Sequence, residues 1–235
     1  MNINHRSSLL IFAALLSLNA ISADQSLELL KSGNKRFVEH HLRADGTAHS
    51  DILRLSKGQT PYAIILSCSD SRVAPELVLD QKLGDIFTIR TVGEDLDLTE
   101  IASIEYAVKN LGTKLVVVMG HTSCGAVTAA VETPKGTSAG SPSLDVMVKN
   151  LQKRIGDFDP KKLSYHLRDE SLRNAKAVKS DLISRSEIIN KAVASGQVKI
   201  IHSLYDIDTG KVEWISENQA RKMAAPPGIE PGTDL

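Results

Sequence analysis

Short apolar runs alternate along this chain with longer stretches whose apolar residues recur every three or four positions. Tyr62 to Leu66 is a run of the first kind, bounded by Pro61 and by a polar Cys-Ser-Asp segment, and it predicts a buried strand. Asp85 to Arg90, ahead of a polar turn around Gly93, and Lys114 to Gly120 predict two more. Pro75 opens a short helix through Leu79, since proline suits a first helical turn. Ile101, Ile104, Val108 and Leu111 mark a helix over Thr99 to Leu111 that Gly112 closes. An Ala- and Val-rich helix follows the third strand to about Val131, and Pro134 to Pro142 reads as a loop. Leu144, Met147, Leu151 and Ile155 then trace an amphipathic helix, and residues 166–195 read as mostly helical. Val198 to Leu204 and Val212 to Ile215 frame a turn at 206–210 and predict a final strand pair. At the other end, Ser26 to Leu42 predicts a helix with Ser26 as N-cap, Gly33 and Asn34 in its middle, and a polar connection over 43–58.

Strands alternating with helices predict an α/β fold with a mostly parallel central sheet flanked by helices. The chain divides accordingly into residues 1–23, a helical arm at 24–58, an α/β core at 59–217 and a Pro- and Gly-containing tail at 218–235. In open parallel sheets ligands gather beyond the carboxyl ends of the strands, where the strand order reverses. Two chemistry-bearing segments fall at such ends: Cys68-Ser-Asp70-Ser-Arg72 after the first strand, and His121-Thr-Ser-Cys124-Gly125 after the third.

Composition narrows the partners. Lys plus Arg and Asp plus Glu both number 28, aromatic residues make up 4%, and no block of like charge occurs. Neither a nucleic acid nor an anionic membrane surface is favoured by that balance. Residues 1–23 have a secretory layout: a weakly basic start at His5 and Arg6, an apolar stretch from Leu9 to Leu18, then small residues up to Ala23. The apolar stretch is short for a bilayer span, so the expectation is export with cleavage after Ala23, to the periplasm in a Gram-negative cell, with no membrane insertion afterwards.

Export makes a Cys68–Cys124 disulfide one reading of the only two cysteines. Zinc is the other, because tetrahedral zinc sites take thiolate and imidazole ligands and catalytic ones keep a position open. Cys68, His121 and Cys124 supply such a set, and His-x-x-Cys lets one turn contribute two ligands, with Gly125 permitting tight backbone. Asp70 and Arg72 lie beside it. A carboxylate held by a guanidinium stays ionised and accepts a hydrogen bond from a water. Turned inward, Asp70 is instead a fourth ligand that closes the site.

Cys-Ser-Asp-Ser-Arg at 68–72, Gly-Asp-x-Phe-x-x-Arg at 84–90, Ser-Ile-Glu-Tyr-Ala-Val at 103–108 and Gly-His-x-x-Cys-Gly at 120–125 together resemble the β-class carbonic anhydrases. The resemblance extends over about residues 26–217. It implies one Zn2+ per subunit on Cys68, His121 and Cys124, and reversible hydration of carbon dioxide to bicarbonate by zinc-bound hydroxide, assisted by an Asp70–Arg72 dyad. It also implies a plant-like substrate pocket at Gln59, Phe87 and Tyr106, with Gly125 beside the metal, and assembly as a homodimer or tetramer with pocket residues crossing between subunits. His166 and His202 are candidates for carrying the released proton. The sequence departs from the family after Arg90, where Thr91-Val-Gly-Glu94 stands in place of an Asn-x-x-Asn segment, so the resemblance does not carry over the hydrogen bonding of that loop. Two other readings keep the same ligands: action on carbon disulfide or carbonyl sulfide, and a zinc-stabilised binding module without catalysis.

Overall fold

A computed structural model describes residues 21–215; the leader-like segment lies almost wholly outside them, as does the tail at 218–235. Five strands form one sheet in the order β2-β1-β3-β4-β5, with β1 Ala63–Cys68, β2 Ile86–Thr91, β3 Leu115–His121, β4 Lys199–Tyr205 and β5 Val212–Trp214. The first four are mutually parallel and β5 returns antiparallel to β4. All residues of β1 and β3 are buried, as expected of central parallel strands with both faces covered.

Alternate side chains of these strands divide the core in two. Ile64, Leu66, Val116 and Val118 pack against α4 (Leu98–Leu111), α7 (Arg168–Arg185) and α8 (Glu187–Ala194). Ile65, Val117 and Met119 pack on the other face with Leu30 of α1 (Ala23–Val38) and Val78 of α3 (Pro75–Val78). The remaining helices are α2 (His49–Leu55), α5 (Gly125–Glu132) and α6 (Pro142–Ile155).

Several boundaries follow local chemistry the pattern did not reveal. The first helix is capped by Ser22, not Ser26. Ser22 Oγ accepts from the Gln25 N–H at 3.2 Å, and Gln25 Oε1 accepts from the Ser22 N–H at 2.8 Å. Ser26 lies inside the helix and donates its hydroxyl to the Ser22 carbonyl. Cleavage after Ala23 would remove this cap. The helix ends at Val38 instead of continuing to Leu42, and His40 beyond it turns at φ 57°. Within the expected connection at 43–58, residues 49–55 form α2, with no buried side chain and no side-chain cap. On α6 the buried face is Val148, Leu151 and Ile155, while Leu144 faces outward.

The α1 helix is integral to the core. Asn34, 6% exposed, donates from Nδ2 to the carbonyls of Val78 and Gly210 at 3.0 and 2.8 Å, and its Oδ1 accepts from the Val212 N–H at 2.8 Å. One amide thereby joins the first helix, the end of α3 and the last hairpin. Asn34→Leu leaves these backbone groups unpaired and should lower unfolding free energy by about 1–3 kcal/mol. An unchanged urea midpoint would show that the tie is dispensable.

Candidate metal centre

The chain leaves β1 to form β2 on one side and later places β3 on the other, so the strand order reverses between β1 and β3. Ser67 pairs with Met119, which sets the carboxyl ends of the two strands at one level. Cys68 is the last residue of β1 and His121 the last of β3; each belongs to its strand instead of following it. Cys124 is the N-cap of α5. Between them Ser123 adopts φ 54°, which folds the chain back so that imidazole and thiol share one side. That bend is held from outside: the Ser123 N–H donates to the His166 carbonyl at 2.7 Å, and the Thr122 N–H to the Tyr205 carbonyl at 3.0 Å.

The ligand atoms of Cys68, His121 and Cys124 lie within 4.8 Å of one another, and all three residues are buried. The sulfurs are 4.0 Å apart and unbonded. A disulfide needs about 2.05 Å. Two thiolates each 2.3 Å from a tetrahedral zinc sit about 3.8 Å apart, so the spacing suits a shared ion. His121 Nδ1 lies 2.9 Å from the Thr122 carbonyl, which assigns the ring proton to Nδ1 and leaves a lone pair on Nε2. Nε2 is buried without a hydrogen-bond partner. A buried acceptor of that kind, beside two thiols, is what a cation would satisfy.

Either sulfur can donate a hydrogen bond to the other. A hydrogen bond from Cys124, with the Gly93 N–H adding to it, lowers the Cys68 pKa although burial opposes them. The Cys68 sulfur and burial push Cys124 upward. Asp70 is turned to Arg72. Nε and Nη2 of Arg72 donate to Oδ1 and Oδ2 at 2.9 and 2.7 Å, and the Arg72 N–H donates to Oδ1 at 2.9 Å. This guanidinium holds the Asp70 carboxyl well below the usual carboxylate range. Asp70 Oδ2 lies 4.0 Å from His121 Nε2. The closed arrangement, with Asp70 as fourth ligand, is not the one seen.

Two contacts had gone unassigned in the sequence. Arg90 donates from Nε to the Cys68 carbonyl at 3.0 Å and from Nη2 to the Asp70 carbonyl at 2.6 Å, pinning the backbone on which thiol and carboxylate stand. The Gly93 N–H donates to Cys68 Sγ at 3.3 Å. Arg90 stood in a recognisable motif, whereas a backbone N–H carries no sequence signal.

The expected pocket residues are not gathered at the cluster within one chain. Phe87 and Tyr106 are neighbours, with ring centroids 6.4 Å apart. Phe87 pairs with Ile64, four residues before Cys68, which places it roughly 13 Å along the sheet from the thiol. Exposed Gln59 precedes β1 altogether, at the far end of the strand. Gly125 does begin α5 beside Cys124, but tight backbone is not what requires it: its φ is ordinary and an added Cβ would meet nothing within 4 Å. His202 lies mid-strand, 4% exposed, and burial followed by Lys179 and Lys176 lowers it to about 4, so it is neutral and poorly placed to exchange protons with solvent. The His166 ring is half-buried, with Nδ1 2.8 Å from Asp208 Oδ2.

A mostly parallel α/β sheet carrying a Cys-His-Cys cluster at its switch point is compatible with a metal-binding enzyme, and comparison with known proteins gives its family. The sequence profile described as carbonic anhydrase matches residues 63–212. Carbonic anhydrase 2 of Mycobacterium tuberculosis is 36% identical over 193 residues, which is 77% of this chain and 87% of that protein. Among solved structures, the β-carbonic anhydrase CafA of Aspergillus fumigatus superposes with a TM-score of 0.60 at 25% identity, covering 90% of this chain and 95% of the other. A tetrameric β-carbonic anhydrase of Sordaria macrospora gives 0.58 at 22% identity, covering 81% and 97%, and shares the fold. The chain belongs to the carbonic anhydrase family, in its β class, and is an enzyme of carbon dioxide hydration.

Gly93 has φ 67°, and a Cβ there would sit 2.8 Å from Ala126 Cβ and 2.9 Å from Leu151 Cδ2. Gly93→Ala therefore combines left-handed strain with overpacking and should lower stability by about 2–4 kcal/mol in chemical denaturation. A wild-type midpoint would mean that the turn relaxes freely.

Proposed function

We propose that Cys68, His121 and Cys124 hold one zinc ion, and that Asp70 and Arg72 form the dyad that serves it in the reversible hydration of carbon dioxide to bicarbonate and a proton. The convergence of three buried ligand atoms within 4.8 Å, with the ionised Asp70 carboxylate at their edge, is the observation that carries the reading. Bound there, zinc supplies a Lewis acid that makes water nucleophilic near neutral pH and balances negative charge developing on the product.

The residues have separable tasks. Asp70 is an acceptor whose orientation is set by two guanidinium bonds, so it can receive a hydrogen bond from a reacting water while remaining unprotonated. Arg72 keeps that carboxylate from turning onto the metal, which supports a site with one position left for exchange. It also donates to the Ser123 carbonyl at 3.3 Å, tying the dyad to the second ligand loop. Arg90 fixes the height of Cys68 and Asp70 together.

The apolar slot for the gas belongs to an assembly in this reading. Tyr106 is 50% exposed, and β2 is an edge strand of the described sheet. Docking of a second copy along that edge would bring Gln59, Phe87 and Tyr106 of one subunit toward the metal centre of the other, as a homodimer or within a tetramer. The leader-like residues 1–23 support an exported enzyme, periplasmic in a Gram-negative cell.

Stopped-flow hydration assays on the zinc-loaded full chain test the proposal. Asp70→Ala should retain zinc but lose on the order of 10- to 100-fold in kcat/KM, the usual effect of removing a partner beside a metal site. Cys68→Ser should lose stoichiometric zinc and activity together. Because the Asp70 pKa is depressed in the fold, the carboxylate remains the acceptor throughout the neutral range and loses that role only as pH falls through its lowered value. Zinc-loaded protein without activity from neutral to alkaline pH would contradict the assignment.

A further inference from the structure

Glu94 and Asn174 stand behind the metal centre, and the hydration chemistry makes no use of them. Glu94 is 1% exposed and Asn174 is fully buried, although one is charged in water and the other strongly polar. Asn174 lies on α7, 80 residues from Glu94 in sequence, and both of its amide hydrogens are spent on one short turn. Nδ2 donates to the Gly93 carbonyl at 2.9 Å and to Glu94 Oε1 at 2.7 Å. The turn is left-handed at Gly93, with φ 67°, and strained at Glu94, with φ 41°, so it needs such a clamp. Its product is the Gly93 N–H aimed at Cys68 Sγ. The carboxyl also adjoins the second ligand-bearing strand: a Cβ on Gly120, just before His121, would come within 3.3 Å of Glu94 Oε1.

We propose that Asn174 and Glu94 act as a pair of positioning residues that hold the Val92–Glu94 turn, keep the Gly93 N–H on Cys68 Sγ, and thereby set how strongly that sulfur donates to the metal. The inference rests on the zinc reading above and assigns the pair no contact with substrate. Glu94 Oε2 and Asn174 Oδ1 are both buried without a partner. A carboxylate would leave two acceptors short of a donor, whereas a neutral carboxyl adds the one missing hydrogen. Burial, followed by the neighbouring Cys68 thiolate, pushes Glu94 up to about 8, in keeping with that form. An N–H donated to a thiolate draws electron density from it, and partners of metal ligands commonly tune both affinity and electronics.

Chelator competition for zinc, together with the thiolate-to-metal charge-transfer band of the cobalt(II)-substituted full chain, tests the pair without recourse to activity. Asn174→Leu should bind zinc about tenfold or more weakly and shift the band to lower energy, because a sulfur stripped of its N–H donor is more electron-rich. Asn174→Ala carries the same expectation should leucine prevent folding. Glu94→Gln keeps a neutral acceptor and replaces the carboxyl hydrogen with an amide donor, so it should behave as wild type, while Glu94→Ala should follow the Asn174 variants. Wild-type affinity and band energy in a folded Asn174 variant would overturn the inference, as would a Glu94→Gln as impaired as Glu94→Ala. Wild-type protein that takes up no tetrahedral cobalt would instead refute the zinc reading itself.

Discussion

Two sulfurs and an imidazole nitrogen meet in a dry corner of the sheet, and the surrounding structure answers the problem of burying so many electron-rich atoms together. No side-chain donor meets His121 Nε2, and the sulfurs have each other, the imidazole and a few backbone N–H groups nearby, that of Gly93 at 3.3 Å from Cys68 Sγ. The neighbouring sulfur lowers the Cys68 pKa and, with burial, raises that of Cys124. A divalent metal would resolve the conflict by taking the lone pairs that neither water nor protein reaches. The parallel sheet enforces the convergence: with β1 and β3 adjacent and in register, the last residue of each arrives at the same edge whatever the helices between them do.

The charges near this corner are arranged so that none competes for it. Arg72 takes both carboxylate oxygens of Asp70, and Arg90 takes the carbonyls beneath them. His121 gives its Nδ1 proton to the Thr122 carbonyl, which fixes the nitrogen that faces the sulfurs. Each contact removes a way for the ligands to turn aside. Such a preorganised shell matters for catalysis, since groups already oriented need not reorganise as charge develops.

The strands and the ligand set were legible because each rests on a local signal: an apolar run for β1 and β3, and thiol or imidazole at its end. Their meeting was legible too, because parallel sheets gather ligands at a switch point. The cap at Ser22 and the helix at 49–55 depended on hydrogen bonds and packing that apolar periodicity does not report. Asn174 was beyond reach for a deeper reason. It sits in a helix of low amphipathicity, and nothing near it in sequence tells that its amide closes a turn at Gly93. The departure at 91–94 left that loop's hydrogen bonding open in the sequence; the amide clamp and the N–H to sulfur contact are the bonds found there. Gln59, Phe87 and Tyr106 mark the opposite limit. Gln59 and Phe87 lie toward the other end of the sheet from the thiols, Tyr106 stands beside Phe87, and in the proposed reading a second copy brings them to the metal centre.

The central claim is that this corner holds zinc on Cys68, His121 and Cys124 with one position free for exchange, Asp70 being retained by Arg72. X-ray absorption at the zinc edge of the metal-loaded protein, recorded from mildly acidic to alkaline pH, measures that directly. The account predicts two sulfur and one nitrogen scatterers at every pH, with a fourth light-atom ligand that exchanges for an added anion. A fourth ligand that resists exchange at all pH values, or a shell lacking two sulfurs, would contradict it.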